Sequence, residues 1–220
     1  MHDFNVSRLN MVESQVRCNG VTDSRVIDAM GSVPRERFVA PAMASLAYMD
    51  SCVAIGDGSS HRHIMEPRVF AKLLQLAAVE SDDMVLDVGC GSGYSTAVLA
   101  HLAQAVVGLE SQSALADAAN ATLSALNLHN AAVVTGALNE GVAKQGPYDV
   151  ILINGQVEQI PEALFDQLKE GGRLVAVVGS RTSARARLYV RSDGRISARD
   201  DFDAQIAALP GFEQKTGFVF

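Results

Sequence analysis

Apolar positions along this chain fall into two rhythms. Short apolar runs bounded by turn residues recur at Val85-Leu86-Asp87-Val88, Ala105-Val106-Val107-Gly108-Leu109, Ala132-Val133-Val134-Thr135, Tyr148 to Ile153 and Arg173 to Val178. Their length suits buried strands. Between them the apolar residues return every three or four positions. Val69, Leu73 and Leu76 share one face with Phe70, Leu74 and Ala77 beside them, and Leu115, Ala119, Leu123 and Leu126 form another stripe. Those spacings predict helices. A further helix is predicted from Pro161 to Lys169, stopped at Gly171-Gly172. Strands alternating with helices predict an α/β fold, with an open, mostly parallel twisted sheet and helices on both faces.

The two ends read differently. Residues 4–30 predict helices: one from Asn5 through Val16, ended at Asn19-Gly20, and a second that Thr22-Asp23-Ser24 caps. Val33 to Pro41, bracketed by two prolines, reads as a connector or a short helical turn. Residues 47–60 read as an irregular loop, and Glu66-Pro67 opens the next helix. Near the other end, Arg187 to Arg191, Ser192-Asp193-Gly194 and Arg195 to Ala198 predict a β-hairpin. Gly217-Phe218-Val219-Phe220 suits a last strand. The expected organisation is one domain over 1–220, with a helical N-terminal extension and loop at 1–66 and the core at 67–220.

Composition narrows the function. Hydrophobic residues make up 48% of the 220, as a buried sheet requires, and the net charge of −7 argues against a nonspecific grip on nucleic acid. No apolar run approaches the length of a membrane helix, and the first residues lack a signal peptide's basic start and apolar core. Cys18, Cys52 and Cys90 are scattered and form no disulfide framework, so a reducing cytoplasm is expected. The sequence sets no oligomeric state.

The chemistry gathers after the first strand, at Asp87-Val88-Gly89-Cys90-Gly91-Ser92-Gly93-Tyr94. Glycines let backbone approach a ligand closely, and the N–H groups of the helix that follows point into the same space. The spacing is G-x-G-x-G, with Tyr94 in the last place of the dinucleotide fingerprint G-x-G-x-x-G. A second strand ends at Glu110, where an acidic side chain can accept both hydroxyls of a ribose. The loop resembles the first motif of class I S-adenosylmethionine-dependent methyltransferases, a Rossmann-like fold. That resemblance implies S-adenosylmethionine as cofactor and S-adenosylhomocysteine as product. It implies that the loop lies along the methionine portion and that Asp87 holds the ammonium group. The cofactor-binding set expected from it is Met65, Asp87, Gly89, Cys90, Gly91, Ser92, Tyr94, Glu110, Ser111, Ala137, Leu138 and Asn154.

Longer stretches resemble one family, the protein-L-isoaspartate O-methyltransferases. Val33-Pro34-Arg35-Glu36-Arg37-Phe38-Val39 is similar to its V-P-R-E-x-F-V, and Ala47-Tyr48-Met49-Asp50 to its A-Y-x-D. Ile160-Pro161 with Leu164, Gln167-Leu168 and Gly171-Gly172-Arg173-Leu174-Val175 is similar to its I-P-x-x-L, Q-L and G-G-x-L-V. The resemblance implies methyl transfer to the α-carboxylate of isoaspartyl residues in damaged proteins, after which the ester closes to a succinimide that partly reopens to aspartate. Two positions depart from the pattern. Met65 stands where the family carries a substrate-contacting Ser, and a thioether donates no hydrogen bond. Ala137 stands where a family Asp receives the adenine amino group. A methyltransferase on another acceptor, or a non-catalytic S-adenosylmethionine-binding protein, therefore remains open, and the sequence assigns no catalytic residue.

Other candidates have plain readings beside them. Ser59, Ser60, His61, Arg62 and His63 form a polar loop in which Arg62 or a histidine would suit an anionic substrate. His61-x-His63 lacks a third ligand, so no metal is expected. Cys90 reads as a small packing residue. Asn154 reads either as reaching the ligand cleft or as a turn with Gly155. Arg181, Arg185, Arg187 and Arg191 read as a solvated hairpin face.

Overall fold

The computed structural model describes residues 3–56, 62–180 and 182–213. The expectations for Ser59, Ser60, His61, Arg181 and the strand at Gly217 to Phe220 lie outside the described residues.

Seven strands form the main sheet: β3 (Met84–Val88), β4 (Ala105–Glu110), β5 (Ala131–Thr135), β6 (Tyr148–Val157), β7 (Leu168–Ser180), β8 (Ser183–Ser192) and β9 (Arg195–Asp203), in the order β5-β4-β3-β6-β7-β8-β9. The first five of that order pair in parallel, and β8 and β9 are antiparallel. Each apolar run becomes a strand because both sheet faces are covered. One face carries α2 (Ser24–Ser32), α3 (Pro67–Ala77), α4 (Tyr94–Ala100) and α5 (Ser113–Ala125); α1 (Phe4–Met11) adds Met11 to the same buried cluster. The opposite face buries Leu86, Val88, Ile151, Ile153 and Leu174 under Leu138, Leu164, Leu209 and Phe212. Asp193 and Gly194 have φ of 51° and 71°, the positive pair that a tight two-residue hairpin turn needs.

Four expectations are corrected. The first helix does not run on as one: α1 gives way to a π turn at Val12–Val16 and a 3-10 turn at Arg17–Asn19, which carries Val12 and Val16 into the core. Residues 47–60 are not wholly irregular, because β1 (Val53–Ile55) pairs antiparallel with β2 (Arg62–Ile64). Three-residue strands that contain Arg and His carry too little alternation to be seen in sequence. The helix after Pro161 is only α6 (Glu162–Phe165), since Leu168 already pairs with Tyr148 in the sheet. Finally, Asn154-Gly155 is no turn. β6 continues through it, held at Gln156, whose N–H donates to Ala207 O at 3.0 Å and whose carbonyl accepts from Leu209 N at 2.8 Å.

The chain turns outward from β3 to β4 and β5, then returns to lay β6 on β3's other side. This reversal opens a crevice at the carboxyl ends of β3 and β6, where open α/β sheets bind ligands.

Candidate functional site

Register brings the acidic strand ends together. Asp87 lies opposite Gly108 of β4 and Leu152 of β6, so Gly89, Glu110 and Asn154 all emerge at one edge. Asp87 is fully buried. Its Oδ2 accepts from Ser95 Oγ at 2.6 Å and Thr96 Oγ1 at 2.7 Å, while Oδ1 is buried with no hydrogen-bond partner among the described residues. Burial pushes its pKa up to about 6, against the lowering pull of the Ser95, Thr96 and Asn154 hydrogen bonds, with Glu110 adding repulsion. The ionised carboxylate orders its neighbours. Ser95 spends its one proton on Asp87, so it must accept from Asn154 Nδ2, its short hydrogen-bond partner. The Asn154 amide is thereby oriented, and its Oδ1 is buried with no partner among the described residues.

Glu110 is also fully buried. Its Oε2 accepts from Arg62 Nη2 at 2.7 Å and Gly91 N at 2.8 Å. Its Oε1 accepts from Ser111 N at 2.8 Å, Ser111 Oγ at 3.1 Å and Gln112 N at 3.2 Å. Burial pushes its pKa up, but the Arg62 guanidinium and the backbone N–H groups outweigh it and hold the carboxyl below its ordinary value.

The loop glycines face different neighbours. Gly89 and Gly91 have φ of 76° and 59°. A Cβ added at Gly89 would meet Leu209 Cδ1 at 2.7 Å and Arg62 Nη2 at 3.2 Å, and one at Gly91 would meet Ile55 Cδ1 at 2.5 Å.

Several expected cofactor residues are turned elsewhere. Tyr94 is buried against Phe38, Phe70 and Arg35, with the Phe38 and Phe70 ring centroids at 5.7 Å and 5.8 Å. The Ser92 hydroxyl donates to Phe38 O, tying the loop to the N-terminal segment. Both side chains anchor the 3-10 turn at Arg35–Phe38, so contact of these two residues with a cofactor would fall to their backbone. Cys90 is buried, and burial pushes its thiol pKa well up, as suits a packing residue. Ser111 is exposed and turned to Glu110. Beyond β5, Ala137 is exposed while Leu138 is buried in the second core cluster. Met65 is buried and shares a small cavity with Cys52, His63, Asn154 and Ile206.

Sequence reading passed over two arginines in these roles. Arg35, fully buried, donates from Nε to Ala47 O at 2.6 Å and from Nη2 to Met65 O at 2.7 Å. Its signal was its place in the V-P-R-E-R-F segment. Arg62, read as part of a solvated polar loop or as a contact for an anionic substrate, is neither solvated nor free: it is buried on Glu110 and Gly89 O. Arg185 and Arg187 pair with Asp200 across the β8–β9 ribbon, in keeping with a solvated face.

A parallel sheet with a final antiparallel hairpin, a glycine loop after its first strand and acidic ends on two neighbouring strands define a Rossmann-like methyltransferase. The protein-L-isoaspartate(D-aspartate) O-methyltransferase family profile matches residues 7–210. The chain belongs to that family. It is 38% identical over 208 residues to the protein-L-isoaspartate O-methyltransferase of Koribacter versatilis, covering 94% of this chain and 92% of the relative. It is 38% identical over 189 residues to that of Methanoculleus marisnigri, covering 86% and 84%. Among solved structures, a protein-L-isoaspartate O-methyltransferase superposes with a TM-score of 0.82 at 26% identity, over 93% of this chain and 66% of that one. A Plasmodium falciparum protein solved with S-adenosyl-L-homocysteine superposes with a TM-score of 0.77 at 22% identity, over 95% and 99%, which shows the common fold.

Proposed function

We propose that this chain is an S-adenosylmethionine-dependent methyltransferase acting on the α-carboxylate of isoaspartyl residues in damaged proteins, a repair activity. Membership of the family supports the reaction. The observation that carries the cofactor is Asp87, whose buried, unpartnered Oδ1 at the end of β3 suits an ammonium group beside bare glycine backbone. Asp87, Gly89, Gly91 and Glu110 would hold the cofactor, with Asn154 at the crevice edge, and the cofactor supplies an activated methyl group when bound. A carboxylate is already a nucleophile at neutral pH, so the chain's task is orientation more than acid–base chemistry. We take residues 1–220 as one domain, because N-terminal Met11, Val16 and Met30 share a buried cluster with Leu73, Val98 and Leu123. A cytoplasmic setting is favoured by three free cysteines, and among the described residues no helix is long and apolar enough to cross a membrane.

Methyl transfer from labelled S-adenosylmethionine to an isoaspartyl peptide tests the reading, with the matching aspartyl peptide as control. Selective labelling of the isoaspartyl peptide is expected. Absence of labelling while the cofactor still binds would remove the repair assignment.

A second reading, a different acceptor, is favoured by Met65, which fills the family's Ser position with a buried thioether. If the isoaspartyl carboxylate is the acceptor and this corner only weakens its grip, Met65→Ser should lower the peptide KM, by about fivefold to tenfold for one restored hydrogen bond. An unchanged or higher KM in Met65→Ser points to the other acceptor.

A further inference from the structure

A carboxylate offers about four lone-pair sites. Glu110 already receives five donors: Arg62 Nη2, Gly91 N, Ser111 N, Ser111 Oγ and Gln112 N. Three of these are backbone N–H groups fixed by the loop and the start of α5. With the exposed Ser111 hydroxyl swung away, four donors still fill the four or so sites. A ribose hydroxyl can therefore bond Glu110 only where Arg62 leaves it, since Arg62 is the other side-chain donor among the described residues.

Arg62 also covers the loop itself. It donates to Gly89 O at 2.8 Å, and its Nη2 lies 3.2 Å from where a Gly89 Cβ would stand. Its cross-strand partner in the β1–β2 hairpin is Ile55, whose Cδ1 rests on Gly91. One cross-strand pair thus covers both glycines whose bare backbone a ligand would approach. The base of the hairpin is fixed separately, because Arg35 Nη2 binds Met65 O just past β2. The hairpin is a short ribbon held at its root and closed by a buried ion pair near its tip.

We propose that Arg62 and the cofactor ribose compete for Glu110, so that the β1–β2 hairpin is a self-inhibiting plug that must leave the glycine loop for the cofactor to bind. The inference rests on the cofactor reading above. The plug lowers the apparent affinity by the fraction of molecules in which it is withdrawn. It also supplies Glu110 with an opposite charge in the free protein, since a buried charge with none beside it is costly.

The test is calorimetry of S-adenosylhomocysteine with the full chain and with Arg62→Met, which keeps the length of the side chain and removes the guanidinium. Arg62→Met is expected to bind about tenfold tighter or more. Equal or weaker binding by the variant, with the wild type binding, overturns the plug and leaves the cofactor reading intact. No binding by either protein overturns both. A second measurement uses the wild type alone, in case Arg62→Met does not fold. Arg35 and Arg62 are buried, so in the free protein both of these side chains should be protected in NMR hydrogen exchange. Saturating S-adenosylhomocysteine should leave only one protected. Two still protected at saturation overturns the proposal.

Discussion

Asp87→Asn is expected to weaken S-adenosylhomocysteine binding by about fiftyfold, as loss of one hydrogen bond to a charged group of roughly 2–3 kcal/mol predicts. The amide can still accept from Ser95 and Thr96, so the β3 end and α4 stay joined, but the negative charge behind the unpartnered Oδ1 is gone. pH should reveal the same charge. The Asp87 carboxyl titrates at about 6, so wild-type affinity should be level above that pH and fall below it, while Asp87→Asn stays flat. Stability should run the other way. The folded pKa is raised from 3.8, so between those values the folded state holds more protons and stability falls as pH rises through the window. Asp87→Asn escapes that cost and should be more stable at pH 7.5 by about 3 kcal/mol, a gap that closes on acidification toward pH 4. Calorimetry and urea unfolding at three pH values check both halves. Wild-type affinity that is unchanged across pH 6 would remove Asp87 from the ammonium site.

Such opposed effects would mark a residue kept for binding at the expense of the fold. Asp87 was legible because its surroundings are local in sequence. The apolar run, the glycines and the acidic residue two positions before Gly89 all lie within one strand and turn. Glu110 was legible in position, as the end of the second strand, but not in state. Its guanidinium partner lies 48 residues away on a hairpin too short to register as strands. The side-chain partners of Tyr94 and Ser92 were hidden for the same reason. Reading along the loop gives them to the ligand, yet the turn at Arg35–Phe38 packs on them from more than fifty residues earlier. The helix of Pro161 to Lys169 failed because sheet pairing at Leu168 overrode a weak local pattern. Periodicity therefore recovered the layers and the order of most of their elements along the chain, whereas contacts between the N-terminal extension and the loop needed the fold.

Arg35 carries that long-range joint, and Arg35→Met is expected to cost about 3 kcal/mol of unfolding free energy, from two buried carbonyls left unpaired. A counter-effect has to be weighed. Burial disfavours the charged guanidinium and lowers its pKa, so an apolar replacement recovers desolvation energy. A buried ion pair replaced as a whole can come out neutral on that account. Here the acceptors are the backbone oxygens of Ala47 and Met65, which no substitution at 35 removes. The guanidinium also stacks 4.6 Å from the Tyr94 ring centroid, which a methionine only partly replaces. Loss should therefore exceed gain. Arg35→Lys should rescue little, because a single ammonium cannot span two carbonyls that a planar fork meets together. Urea unfolding of the three proteins decides it. A cost below about 1 kcal/mol for Arg35→Met would mean that water or relaxed backbone satisfies both carbonyls and that the hairpin root is not held by Arg35.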